Sequence, residues 1–126
     1  MMATVKEWNR YQAAKASLEP DQQKVLSKIE GYAEPGVALT EVDISNDRLN
    51  DWRGGKYLSV ENVRFLFELG NVDIGGPNEP TVQKLFEIER TYYRRDRYRF
   101  VIRLSDYFSK VVARTFVMKR RRKSGI

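Results

Sequence analysis

The chain has 126 residues, 41% of them apolar and 32% charged, which suits one compact domain, or one domain plus a long extension, with a real core and is too hydrophobic for disorder. It contains neither Cys nor His, so disulfides, thiolate chemistry, Ser-His or Cys-His nucleophilic sites and ordinary zinc sites are excluded. The net charge of +6 is unevenly divided: residues 1–89 hold 10 Lys/Arg against 15 Asp/Glu, whereas residues 90–126 hold 13 Lys/Arg against Asp96 and Asp106 alone. That asymmetry is the compositional sign of a basic tail or face on a near-neutral body.

Thr4-Val5-Lys6-Glu7 has capping-box form and opens a predicted helix to about Ser17, with Val5, Trp8, Leu18 and the alanines as a thin apolar stripe. Ser17-Leu18-Glu19-Pro20-Asp21 reads as a second helix start, with Pro early and acids in the first turn. Val25, Leu26, Ile29 and Tyr32 follow at helical spacing, and Glu34-Pro35-Gly36 ends the run. From Val37 to Val72 the elements are short. Leu39, Val42 and Ile44 suggest a helical turn or two. Ser45 is an N-cap for a helix carrying Leu49 and Trp52, which Gly54-Gly55 stops. Ser59 caps a helix with Val60, Val63, Leu66, Phe67 and Leu69 on its apolar face and Gly70 as its stop.

Asp73-Ile74-Gly75-Gly76-Pro77-Asn78-Glu79-Pro80 is the clearest break and marks a domain boundary. Beyond it Val82, Leu85, Phe86, Tyr92, Tyr93, Phe100, Leu104, Tyr107, Phe108, Val111, Val112 and Phe116 suggest one long helix or a helix pair. Arg97–Leu104 also alternates, with Tyr98, Phe100, Ile102 and Leu104 on one side, which is strand periodicity. The 3/4 spacing continuing through Phe116, with no turn signal bounding the run, favours helix. The expected fold is therefore mainly α. It has a small helical domain at 1–72, a Gly/Pro linker at 73–80, a basic helical segment at 81–118 and a basic tail at 119–126.

The tract Arg90–Arg99 interleaves guanidinium groups with phenol rings. Arg supplies forked, permanently charged phosphate donors, and rings can stack on unpaired bases. Read as helix, Arg90, Arg94 and Arg97 share one stripe, and Arg95, Arg99 and Arg103 share the neighbouring one. Lys119, Arg120, Arg121, Arg122 and Lys123 add five consecutive charges. Cations after a helix can also complement its dipole, and tyrosines at this spacing also serve as packing residues. The 13 cations against two anions exceed what a dipole requires. A non-enzymatic nucleic-acid-binding role is expected, as a regulator or a phage or viral packaging-type factor, with DNA placed ahead of RNA as partner. The alternative is a structural or adaptor subunit that meets an acidic protein partner. It would form a homo-oligomer through Phe100, Leu104, Phe108, Val111 and Val112.

Residues 44–70 resemble the second half of a Cro/repressor-type helix-turn-helix domain. The matching run is Ile44-Ser45, Leu49 and Trp52, Gly55-Lys56, and Ser59-Val60-Glu61-Asn62-Val63 through Leu69-Gly70. The resemblance implies a reading helix at about Ser45–Arg53, with Asn46, Arg48 and Asn50 approaching base edges and Lys56 meeting phosphate. Asp47 and Asp51 offset Arg48 and Arg53 in that helix.

Asp43, Asp47 and Asp51 fall at i, i+4 and i+8 but lack calcium-loop spacing, so they read as a solvated acidic face. No phosphate-loop frame is present, and no cofactor or metal is implied. No apolar run approaches the roughly 20 residues of a membrane helix. Lys6-Glu7 stands where a signal peptide needs its apolar stretch, so an intracellular or virion-internal location is expected.

Overall fold

The computed structural model describes residues 2–45, 56–70, 84–94 and 97–124. Helix α1 (Val5–Ala16) starts on the predicted capping box: Thr4 Oγ1 accepts from the Glu7 amide at 3.1 Å, and Glu7 Oε1 accepts from the Thr4 amide at 2.9 Å. Helix α2 (Pro20–Tyr32) has Pro20 in its first turn, where a missing N–H costs nothing, and the Gln22 side chain accepts from the Glu19 amide at 3.2 Å. A β-turn follows, in which the Val37 amide donates to Glu34 O at 3.1 Å and Gly36 takes φ +81° after Pro35. That is the type II arrangement, with glycine where φ must be positive.

The rest of the chain alternates strands and helices. Strand β1 (Leu39–Ser45) is followed by β2 (Tyr57–Ser59), a 3₁₀ turn (Val60–Asn62) and α3 (Val63–Gly70). Strand β3 (Phe86–Arg94), β4 (Arg97–Leu104) and α4 (Asp106–Ser124) complete the order. The four strands form one mixed sheet in the order β2-β1-β4-β3, with β1 and β2 parallel and the other neighbours antiparallel. A bulge interrupts the β3–β4 ladder between Arg90 and Tyr92.

The mainly α expectation is therefore overturned: the protein is an α/β fold. The segment foreseen as one long basic helix or a helix pair is a β-hairpin followed by one helix, and Leu39, Val42 and Ile44 belong to a strand. Alternation wins because Phe100, Ile102 and Leu104 all reach the core, at 6%, 0% and 6% exposure. A helix would turn Ile102 away from the other two, whereas a strand brings every second residue to one face.

All four helices pack on one face of the sheet. Val42, Phe86, Phe100, Ile102 and Leu104 point to them, while Leu39, Glu41, Glu87, Glu89 and Arg103 on the other face are exposed. Phe108 of α4 lies between Tyr11 of α1 and Phe86 of β3, with ring centroids at 5.7 and 5.9 Å. Gly70 lets α3 approach β3 closely, since a Cβ there would stand 3.1 Å from Phe86 O. The Tyr32 hydroxyl donates to Tyr57 O at 2.9 Å and accepts from the Tyr57 amide at 3.3 Å, which covers the backbone of edge strand β2. Phe67, expected on the apolar face of α3, is half-exposed, while Phe65, Leu66 and Leu69 are buried. Among the described residues, no helix is long and apolar enough to cross a membrane.

One core group is out of balance. The Thr40 hydroxyl on the inner face of β1 is buried without a hydrogen-bond partner among the described residues. Burying an unmatched hydroxyl costs on the order of 1–3 kcal/mol. Thr40→Val keeps the shape and β-branching of the side chain. It should raise stability by about 1 kcal/mol in urea unfolding; an unchanged or lower midpoint would show the hydroxyl to be satisfied.

Candidate nucleic-acid interface

The strand geometry redistributes the arginine tract. Arg99 and Arg103 lie on the sheet face away from the helices, where β1 and β3 present Glu41, Asp43, Glu87 and Glu89. Arg99 is engaged there: its Nε donates to Asp43 Oδ1 at 2.8 Å, its Nη2 to Oδ2 at 3.3 Å, and Glu41 stands 3.6 Å away. The Asp43 hydrogen bonds, then the Asp43 charge, hold Arg99 still more firmly protonated. Arg103 is exposed and opposes Glu87 in the ladder. Arg90 pairs with Phe100, and Arg94 with Arg97, in strand register. The two helical stripes foreseen for Arg90–Arg103 are not formed.

The other expected positions divide similarly. Asn46, Arg48, Asn50 and Arg95 lie outside the described residues, as does most of the foreseen reading helix. Lys56 Nζ is 3.5 Å from Glu34 Oε1, and its carbonyl accepts from the Asp43 amide at 2.9 Å. Lys119, Arg120 and Arg121 are exposed on the last turns of α4, with Arg120 over the Phe116 ring at 5.8 Å; Arg122 and Lys123 continue that helix. Phe100, Leu104, Phe108, Val111 and Val112, foreseen as an oligomerisation seam, are all buried in the chain's own core.

Helix α4 is tied to the start of the chain by four polar contacts. The Ala3 amide donates to Lys110 O at 3.0 Å, and Arg114 Nε donates to Ala3 O. Trp8 Nε1 donates to Thr115 Oγ1 at 2.9 Å, and the Tyr107 hydroxyl donates to Glu7 O at 2.8 Å. These bonds lay α1 and α4 side by side. The four α-helices together carry 13 Lys/Arg against five Asp/Glu, whereas the four strands carry five against four. Surplus positive charge thus belongs to the helices, and the strands nearly balance.

Outside the Arg90–Arg99 tract the helices also carry Lys6 and Arg10, Lys24 and Lys28, and Lys110 and Arg114. Each pair is spaced i, i+4, which puts it on one helix face and is legible in the sequence.

Between α1, α2 and the far half of α4 lies a cleft of about 340 Å³ bordered by Trp8, Gln12, Lys15, Ser27, Glu30 and Lys119, among others. In its wall Glu30 accepts from the Tyr11 hydroxyl on one oxygen and from Lys15 Nζ at 3.0 Å on the other. The Lys15 and Glu30 side chains are only 18% and 9% exposed. No protein-family model, curated protein or solved structure matches the chain.

Burial, and then the neighbouring Glu30 charge, push the Tyr11 phenol well above its ordinary value. A phenol whose pKa is raised by folding contributes stability that is complete below the unfolded value of ~10 and is lost as pH climbs through the folded one. Tyr11→Phe should cost roughly 1–3 kcal/mol near neutral pH, because Glu30 loses a donor. The gap between variant and parent should narrow above pH ~10. Urea unfolding at both pH values checks this; a gap that widens at high pH would contradict it.

Proposed function

We propose that this chain is a non-enzymatic nucleic-acid-binding protein that meets the phosphate backbone with its helical layer, led by the end of α4. The observation that carries the reading is the partition of charge. Cations outnumber acids 13 to five on the helices and only five to four on the strands. A helix dipole accounts for cations in the last turn of α4, but not for Lys110 in its second turn or for Lys6, Arg10, Lys24 and Lys28 on its neighbours. A surface with a surplus of positive charge raises the local concentration of polyanions and speeds encounter with them. Phosphate neutralisation releases condensed counterions, so such binding falls with salt.

Affinity for DNA and RNA measured across a salt series tests the reading. Binding should weaken steeply with salt, and the triple substitution Lys119→Ala, Arg120→Ala, Arg121→Ala should reduce the log–log slope by roughly 2–3. Arg99→Ala should leave the slope nearly unchanged, because Asp43 and Glu41 already match that charge. No retention of either nucleic acid at low salt would end the proposal.

A further inference from the structure

We propose that the cleft between α1, α2 and α4 seats one unpaired nucleotide of a single strand, with its phosphodiester between Lys15 and Lys119. The inference rests on the nucleic-acid reading and specifies the form of nucleic acid it concerns. Three features of the cleft carry it.

The first is continuity. Lys119 borders the cleft and is also the first of the five consecutive cations that end α4. A strand seated in the cleft therefore lies beside the cationic end of α4, where Lys119, Arg120 and Arg121 are exposed.

The second is charge. Lys15 and Lys119 face a single carboxylate, Glu30, in the walls of the cleft. Glu30 already accepts one hydrogen bond on each oxygen, from Tyr11 and from Lys15. One surplus positive charge remains, which matches the one negative charge of a phosphodiester. The same contact with Glu30 holds Lys15 in place, so little side-chain freedom is lost on binding.

The third is shape and lining. At about 340 Å³ the cleft is at the small end of the roughly 300–1,000 Å³ range of ligand sites. It is concave and sized for a nucleotide, whereas duplex grooves receive a convex helix or ribbon. Trp8 lines it with an indole fixed by its bond to Thr115. Gln12 and Ser27 each bring donor and acceptor capacity, which suits the polar edge of any base. An aromatic wall with such neighbours favours unstacked bases without strong sequence preference.

The test uses the full chain, a labelled oligothymidine and a mixed-sequence duplex of equal length, compared at one salt concentration by fluorescence anisotropy. Ser27 is exposed on α2, so Ser27→Leu narrows the cleft without entering the core. It should weaken single-strand binding about tenfold and leave duplex binding unchanged. Gln12→Leu, from the α1 side, should act in the same direction. In a Trp52→Phe background, which leaves Trp8 as the sole tryptophan, saturating oligothymidine should quench the emission. Parent-like single-strand affinity in both leucine variants would overturn the cleft assignment, as would equal loss on single strand and duplex. Binding of duplex but not single strand would sink the cleft and leave the electrostatic reading intact. Binding of neither would sink both.

Discussion

Phe108 is the contact on which the arrangement depends. It is fully buried on the first turn of α4, between Tyr11 of α1 and Phe86 of β3. Only one residue, Ser105, separates β4 from α4, so the helix has little freedom to choose its direction. The Ser105 hydroxyl accepts from the Phe108 amide at 3.1 Å, and the Ser105 amide donates to Leu85 O at 2.9 Å. Cap and ring together set the axis of α4, with Tyr107, Val111 and Val112 completing its buried face. The helix runs on from Phe116 to Ser124 along the axis so chosen. The position of the cationic end of α4 is thus decided by aromatic packing some ten residues upstream, not by the charges themselves.

The two faces of the sheet solve the charge problem differently. On the open face, cations and acids alternate across neighbouring strands and Arg99 is matched by Asp43 and Glu41; exposed pairs of this kind contribute little to stability but cancel the local field. In the helical layer Lys15 and Glu30 pair at low exposure, and the Tyr11 hydroxyl completes the contact. A largely buried pair is a weak source of net stability, though breaking it by removing one partner is costly. Its consequence here is positional. It fastens α1 to α2 and fixes a lysine at the mouth of a cleft.

What was legible in the sequence was local chemistry. Thr4 and Glu7, Pro20, and Pro35-Gly36 each act through neighbours a few residues away, and each does in the structure what its residue type requires. The hairpin was obscured for a specific reason. Phe100 and Leu104 are four apart, an interval that keeps two residues on one face in a helix and in a strand alike. Only the two-residue steps through Ile102 distinguish the periods, and the helical spacing of the real α4 directly behind them extended the wrong pattern backwards. The boundary was written in Ser105-Asp106, an N-cap with an acid in the first turn, rather than in Gly or Pro. The charge surplus after residue 90 was correctly counted. Its placement was not, because whether Arg99 meets solvent or Asp43 depends on strand pairing across 56 residues of chain.

The same separation of local and long-range information explains how α4 divides its labour. Its first half is fixed by core packing, so substitutions at Tyr107, Phe108, Val111 or Val112 act through folding. Its second half bears exposed Phe116, Lys119, Arg120 and Arg121, whose replacement leaves that packing untouched. A surface of this kind can change its charge without renegotiating the fold. The cleft stands at the join of the two halves, where Thr115 holds Trp8 and Lys119 begins the cationic run. It therefore has the rigidity of the core on one side and the charge of the surface on the other. Preorganised contacts lose less entropy when a ligand arrives than contacts that must first be ordered, and this is where the helical layer offers them.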